Sequence, residues 1–110
     1  MRSLKVLFLC SRNRWRSLTA EKIFNGLVGI SARSAGTEPN ARIRVTAGHL
    51  SRADLIFVME KKHLRRLQDK FPEAIADKKI ICLHIPDEYE FMQPELVDLL
   101  QTSVMPHLPQ

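Results

Sequence analysis

The segment Val6-Leu7-Phe8-Leu9-Cys10-Ser11-Arg12-Asn13-Arg14-Trp15-Arg16-Ser17 constrains this chain more than any other. Val6–Leu9 is a short, unbroken apolar run. Such a run reads as a strand buried on both faces, the kind found in parallel sheets covered by helices. After a few polar positions the apolar residues resume with helical spacing. Ala20, Ile23, Phe24 and Leu27 fall on one face of a helix expected over Ser17–Leu27, with Gly26 and Gly29 marking its end. A strand, a short loop and a helix start build an anion site, because backbone N–H groups of the loop and of the first helical turn converge on one spot.

The side chains suit that site. Arg16, at the end of the loop, offers a planar fork to a tetrahedral oxyanion. Cys10, at its start, lies beneath the anion, and the same fields favour the thiolate, the nucleophilic form. A nucleophile under a phosphate site implies phosphoryl transfer through a cysteinyl-phosphate. The plainer reading makes Cys10 an inert small hydrophobe at a strand end, with Arg12, Arg14 and Arg16 on a solvated loop. The Cys-x5-Arg-Ser spacing between a strand and a helix weighs against it. Ser17 is a suitable N-cap. Asn13 tolerates left-handed backbone geometry and can tie the loop to itself.

The rest of the chain alternates in the same way. A second strand is expected at Ile30–Ser34, then a turn-rich loop from Gly36 to Arg44. A short helix at Val45–Leu50 follows, capped by Thr46 or a neighbour. Leu55–Met59 reads as a third strand and Lys61–Phe71 as a charged surface helix stopped by Pro72. A fourth strand at Ile80–Ile85 leads to an irregular loop, Pro86–Phe91. Pro94 opens a last helix to about Ser103, and the tail after Val104 is expected to be loose. This order predicts one α/β domain over residues 1–110, a three-layer sandwich with a four-stranded parallel sheet and helices on both faces. Ligands of such sheets sit beyond the carboxyl ends of the strands. Cys10, Glu60 and Asp87 each follow a strand, so one edge can gather them.

Composition excludes several classes. At 45% hydrophobic, 110 residues can bury a real core as one domain. Leu4–Leu9 is too short for a secretory signal, and no run reaches membrane-spanning length, so no membrane association is expected. Two cysteines make no disulfide framework, which fits a reducing, cytoplasmic location. Cys82 reads as core. The net charge of +5 admits phosphoproteins, nucleic acid or an anionic surface. With one Trp, one Tyr and scattered basic residues, a nucleic-acid module is not signalled, and Lys61–Arg66 reads as a solvated face. The four His show no metal-ligand spacing and no Walker or dinucleotide glycine pattern occurs, so neither metal nor cofactor is expected.

The segment from Cys10 to Leu18 resembles the signature of the low-molecular-weight protein tyrosine phosphatases, Cys-x-Gly-Asn-x-Cys-Arg-Ser-Pro. Cys10, Asn13, Arg16 and Ser17 fall on its positions. Arg12, Trp15 and Leu18 stand where the family has Gly, Cys and Pro. Ser34-Ala-Gly-Thr37, Ala53-Asp-Leu-Ile-Phe-Val-Met-Glu60 and Asp87-Glu-Tyr89 extend the likeness over most of the chain. The family runs longer, and the resemblance implies that a helix-and-loop segment after Thr37 is missing here.

The resemblance also implies a phosphomonoesterase acting on phosphotyrosine or another phosphorylated residue, within a phosphorylated protein or a small aryl phosphate. Residues Ser11 to Ser17 (Ser11, Arg12, Asn13, Arg14, Trp15, Arg16 and Ser17) would bind the phosphate, or a phosphate or sulfate ion. Cys10 is the implied nucleophile, Arg16 the clamp on the transition state, and the Ser17 hydroxyl a donor to the thiolate. Departure of a tyrosyl oxygen needs a proton, and the attacking water must then lose one. One carboxyl group can serve both steps. Pro86-Asp87-Glu88-Tyr89 resembles the family's Asp-Pro-Tyr loop without its Pro. Asp87 is the first candidate for this acid and Glu88 the alternative. Tyr89 would stand at the pocket wall and stack on an aromatic substrate. Trp15 would shape the entrance, Arg12 and Arg14 would add charge at the rim, and Glu60 would bond to a neighbouring loop.

Two competing functions share these features. One is a phosphate- or phosphopeptide-binding module of the same fold with weak or lost catalysis. The other is arsenate reduction, which needs further cysteines to resolve the arseno-thiol, and Cys82 is the only one left. Larger Cys-x5-Arg phosphatases place the acid before the Cys and a His next to it. This chain has Leu9 there and its acid downstream.

Overall fold

An unbroken apolar strand needs partners on both edges, and β1 (Leu4–Cys10) has them. The computed structural model describes residues 3–109. In chain order the elements are β1, α1 (Arg16–Phe24), β2 (Ile30–Gly36), α2 (Ala47–Arg52), β3 (Leu55–Val58), α3 (Lys61–Lys70), β4 (Ile80–Cys82) and α4 (Pro94–Val104), with a single 3₁₀ turn at Met105–His107. The strands lie in the order β2-β1-β3-β4, all parallel. The expected α/β architecture is therefore the observed one.

Each face of the sheet has its own core. Phe8, Phe57, Ala20, Phe24, Leu96 and Leu100 fill the side covered by α1 and α4. Phe8 stacks on Phe24 and Phe57, with ring centroids 5.6 and 5.3 Å apart. Leu7, Leu9, Ile56, Val58, Leu50 and Leu67 fill the side covered by α2 and α3. The chain leaves β1 toward β2 and later returns to form β3 on the other edge, so a switch point lies between β1 and β3. A crevice forms there, beyond the carboxyl ends.

Several expectations shift in detail. Helix α1 ends at Phe24, so Leu27 is left half-exposed, off the apolar face. Strand β4 ends at Cys82, because His84 takes a left-handed φ of 57° and breaks the pleat. Leu83 and Ile85 still donate to Val58 O and Met59 O. Cys82 lies on an edge strand and is only half-buried, at the rim of the core rather than inside it. The tail is not loose. Val104 is fully buried and Leu108 nearly so, because the turn at Met105–His107 folds the tail back onto the α4 side of the sheet. Among the described residues, no helix is long and apolar enough to cross a membrane.

The outer strand β2 is guarded. Ile30 N–H donates to Leu27 O, Ala32 N–H to Asn25 Oδ1 and Gly36 N–H to Ile43 O. These bonds blunt an edge that would otherwise template pairing with another chain.

Candidate active site

The loop after β1 is shaped by the segment after β2. Thr37 N–H donates to Cys10 O at 2.9 Å, Glu38 N–H to Ser11 O at 3.0 Å, Arg42 N–H to Arg12 O at 2.9 Å and Arg42 Nε to Asn13 O at 3.2 Å. Four consecutive carbonyls are thus held from one side. In a trans peptide the next N–H points opposite to the carbonyl. The N–H groups of Ser11, Arg12, Asn13 and Arg14 therefore turn away from this support. Among the described residues none of them, nor that of Trp15, has an acceptor. Asn13 makes the bend with φ 57°, and Gly36 makes the close approach possible. A Cβ there would lie 2.6 Å from Ser11 O and 2.5 Å from the Ala41 Cβ. The chain passes straight from Thr37 into this short support, where the resemblance implies a longer segment. Locally, residues 36–44 show only turn chemistry, since their role lies in long-range backbone bonds that no local pattern announces.

Helix α1 starts at Arg16 with Trp15 at the N-cap, no side-chain cap and no acidic residue in its first turn. Its positive end is left for an anion. Arg16 is 2% exposed. Its Nη1 donates to Glu60 Oε2 at 2.6 Å and to Ile85 O at 2.8 Å. Nε lies 3.8 Å from Asp87 Oδ1. One nitrogen anchors the guanidinium to the residues after β3 and β4, while Nε and Nη2 make no hydrogen bond among the described residues. Burial raises the Glu60 carboxyl, but the Arg16 hydrogen bond and the charges of Arg16 and Lys62 outweigh it and hold it below its ordinary value.

Cys10 Sγ lies 2.9 Å from Ser17 Oγ. Asn13 Nδ2 donates to the same oxygen at 2.8 Å. With a donor already supplied, the Ser17 hydroxyl proton is directed toward Cys10, since its other acceptor, Ala35 O, is 3.5 Å away. Behind this, buried His63 accepts the Glu60 N–H on Nδ1 at 3.0 Å, and its Nε2 lies 3.0 Å from Ser11 Oγ. Burial, then the Arg16 charge, lower its pKa to about 4, so the ring is neutral and donates through Nε2. The Ser11 hydroxyl proton is then left for whatever occupies the cleft.

That cleft, about 310 Å³, is lined by Cys10, Ser11, Arg12, Arg14, Trp15, Arg16, Glu38, Lys62 and Asp87. Trp15 is 46% exposed at its mouth. Arg12 pairs with Glu38 at 3.5 Å on the rim. Asn13 and Ser17 are buried beneath the loop and contribute from below. Asp87 reaches the cleft, whereas Glu88 is exposed outside its lining. Tyr89 is a correction. It does not wall the pocket but packs, half-buried, against the core on the α1–α4 side, which an apolar ring next to a buried face favours. Lys62 and Glu38 also line the cleft; Lys62 does so from the solvated face expected for Lys61–Arg66, and no sequence motif marks Glu38. Position alone, two residues after Glu60 at a strand end, was the signal for Lys62. Among the described residues no His, Cys, Asp and Glu group could hold a metal ion.

No protein-family model matches this chain, and no curated protein matches it. Solved structures do. The chain is similar to the tyrosine phosphatase Wzb from Escherichia coli K30 in complex with phosphate, with 22% identity and a TM-score of 0.77 over 96% of each chain. It is similar to Vibrio vulnificus Wzb in complex with benzylphosphonate, with 24% identity and a TM-score of 0.75 over 94% of this chain and 95% of that one. It is also similar to the YwlE arginine phosphatase from Geobacillus stearothermophilus, with 19% identity and a TM-score of 0.67 over 97% of this chain and 99% of that one. The fold is that of the low-molecular-weight tyrosine phosphatases, the group that the Cys10–Leu18 segment resembles.

Proposed function

We propose that the protein is a phosphomonoesterase that hydrolyses phosphotyrosine, or another phosphorylated residue, through a cysteinyl-phosphate. The observation that carries this reading is the row of N–H groups from Ser11 to Arg14, turned away from their support and without an acceptor among the described residues, next to the Cys10 thiol and the Arg16 fork. Neighbours of the same fold are named as tyrosine phosphatases and as an arginine phosphatase, and one holds phosphate.

In the first step the Cys10 sulfur attacks phosphorus. The S–P bond forms as the P–O bond to the leaving group breaks, and protonated Asp87 gives that oxygen its proton. The loop N–H groups and Arg16 Nε and Nη2 hold the three equatorial oxygens, where charge accumulates. In the second step Asp87 takes a proton from water, the water oxygen attacks phosphorus, and the S–P bond breaks. The departing thiolate is received by the Ser17 hydroxyl. The His63–Ser11 pair supplies one further donor to the anion.

Hydrolysis of p-nitrophenyl phosphate tests the reading, since it needs only the loop and the acid. Wild type should turn it over, and Cys10→Ser should abolish turnover while the fold and phosphate binding persist. Turnover by Cys10→Ser within tenfold of wild type would sink the cysteinyl-phosphate. Phosphate binding by wild type without any hydrolysis selects the binding module, which Arg12, Trp15 and Leu18 in place of the signature residues favour.

A further inference from the structure

Helix α3 begins at the cleft and carries charge that its own geometry disfavours. Lys61 and Lys62 occupy its first turn, which holds no acidic residue. Cations there oppose the positive end of the helix dipole. Arg65 and Arg66 follow four residues later, a spacing at which like charges face each other and repel. All four side chains are exposed. Lys62 has Glu60 Oε2 at 3.7 Å. Among the described residues, Lys61, Arg65 and Arg66 have no ion-pair partner, and neither has Arg14 on the loop side of the mouth. Lys62 lines the cleft itself, so the row leads outward from the site.

We propose that this face of α3 docks the acidic flank of a phosphorylated polypeptide substrate. The inference rests on the phosphate reading of the cleft and names the substrate class. With the phosphoryl group over Cys10, the adjoining chain crosses the mouth beside Lys62 and runs along the helix. Lys62 and Arg66, like Lys61 and Arg65, are separated by a rise of about 6 Å along the helix axis. Alternate side chains of an extended peptide are about 6.6–6.8 Å apart. Asp or Glu at every second position therefore meets the cations nearly in register. A polynucleotide fits less well, because α3 carries no Phe, Tyr or Trp on which a base would stack.

The test is binding of labelled phosphotyrosine peptides to the Cys10→Ser protein, which does not depend on turnover. One peptide has Asp or Glu at two alternate flanking positions and the other has Asn or Gln there. The acidic peptide should bind about tenfold more tightly at low ionic strength, and the advantage should shrink sharply at about 0.5 M salt. Adding Lys61→Gln, Arg65→Gln and Arg66→Gln should bring the two peptides to parity. With Cys10 intact, the same triple change should leave hydrolysis of p-nitrophenyl phosphate unaltered. Equal affinities in the parent, or a tenfold advantage surviving the triple change, overturns the docking surface. So does an unphosphorylated acidic peptide or a short oligodeoxynucleotide that binds as tightly. Absence of hydrolysis by the wild type, with the charge preference retained, overturns the catalytic reading and supports the docking.

Discussion

Glu60 Oε2 accepts a 2.6 Å hydrogen bond from Arg16 Nη1, the same nitrogen that donates to Ile85 O at 2.8 Å. Among the described residues the buried guanidinium thus makes its hydrogen bonds through one nitrogen, with Nε only in a 3.8 Å ion pair with Asp87. An ammonium group has a single nitrogen for these bonds and for an anion. Arg16→Lys, which keeps the charge, should therefore lower kcat/KM by about 10²-fold or more. Kinetics with p-nitrophenyl phosphate alongside thermal melting checks this. Near-normal rates would reduce Arg16 to an anchor for Glu60.

Asp87 lines the cleft with its carboxylate 3.8 Å from Arg16 Nε, while Glu88 faces solvent. Asp87→Asn should slow substrates with poor leaving groups most, by about 10²–10⁴-fold, since those depend on protonation. Activated aryl phosphates should suffer less. Glu88→Gln should be near wild type throughout. A steepened dependence on leaving group in Glu88→Gln instead would move the acid by one residue.

Acid should destabilise the fold through His63. In the unfolded chain this ring takes a proton near its ordinary value of 6.5, and in the folded protein only near about 4. Between those values the unfolded state holds more protons, so stability rises with pH across that window. The contribution is complete above 6.5 and lost as pH falls toward 4. A shift of this size corresponds to roughly 3 kcal/mol at the acid end. Urea midpoints measured from neutral pH down to mildly acidic pH should fall for the wild type. His63→Gln should flatten the profile in that window. A flat wild-type profile would contradict a neutral, buried His63.

What the sequence made legible was local. The apolar run into Cys10, the Cys-x5-Arg spacing and the alternation of strands and helices are patterns within short windows; they set Arg16 at the end of the loop after Cys10 and let one edge gather Cys10, Glu60 and Asp87. A cap at Thr46 or a neighbour is readable from residue type alone, and the structure puts it at Thr46, in a reciprocal capping pair with His49 within one turn. The misreadings came from contacts across the sheet. Nothing local tells that residues 37–42 hold the carbonyls of 10–13, or that Val104 and Leu108, spaced around Pro106, reach the core. Tyr89 next to Asp87 invited a pocket role, yet the same three residues can turn one side chain to the cleft and another to the core. Strand β4 reads as longer than it is because Leu83 and Ile85 keep strand-like bonds on either side of the left-handed His84.

Trp15 offers a test that separates recognition from chemistry on the proposed function. It stands at the mouth of the cleft, 46% exposed, and as N-cap of α1 it contributes no side-chain cap bond. Its truncation removes neither core packing nor a cap, so Trp15→Ala should change stability by no more than about 0.5 kcal/mol. On the proposed mechanism the indole at the mouth would meet the leaving group and not the phosphoryl oxygens. The variant should therefore raise KM and reorder bulky aryl phosphates or phosphopeptides, with kcat for p-nitrophenyl phosphate nearly unchanged. Thermal melting with kinetics on a small and a large substrate decides the matter. A loss of several kcal/mol would show that the ring packs inward. A stable variant with the wild-type ranking of substrates would remove Trp15 from recognition.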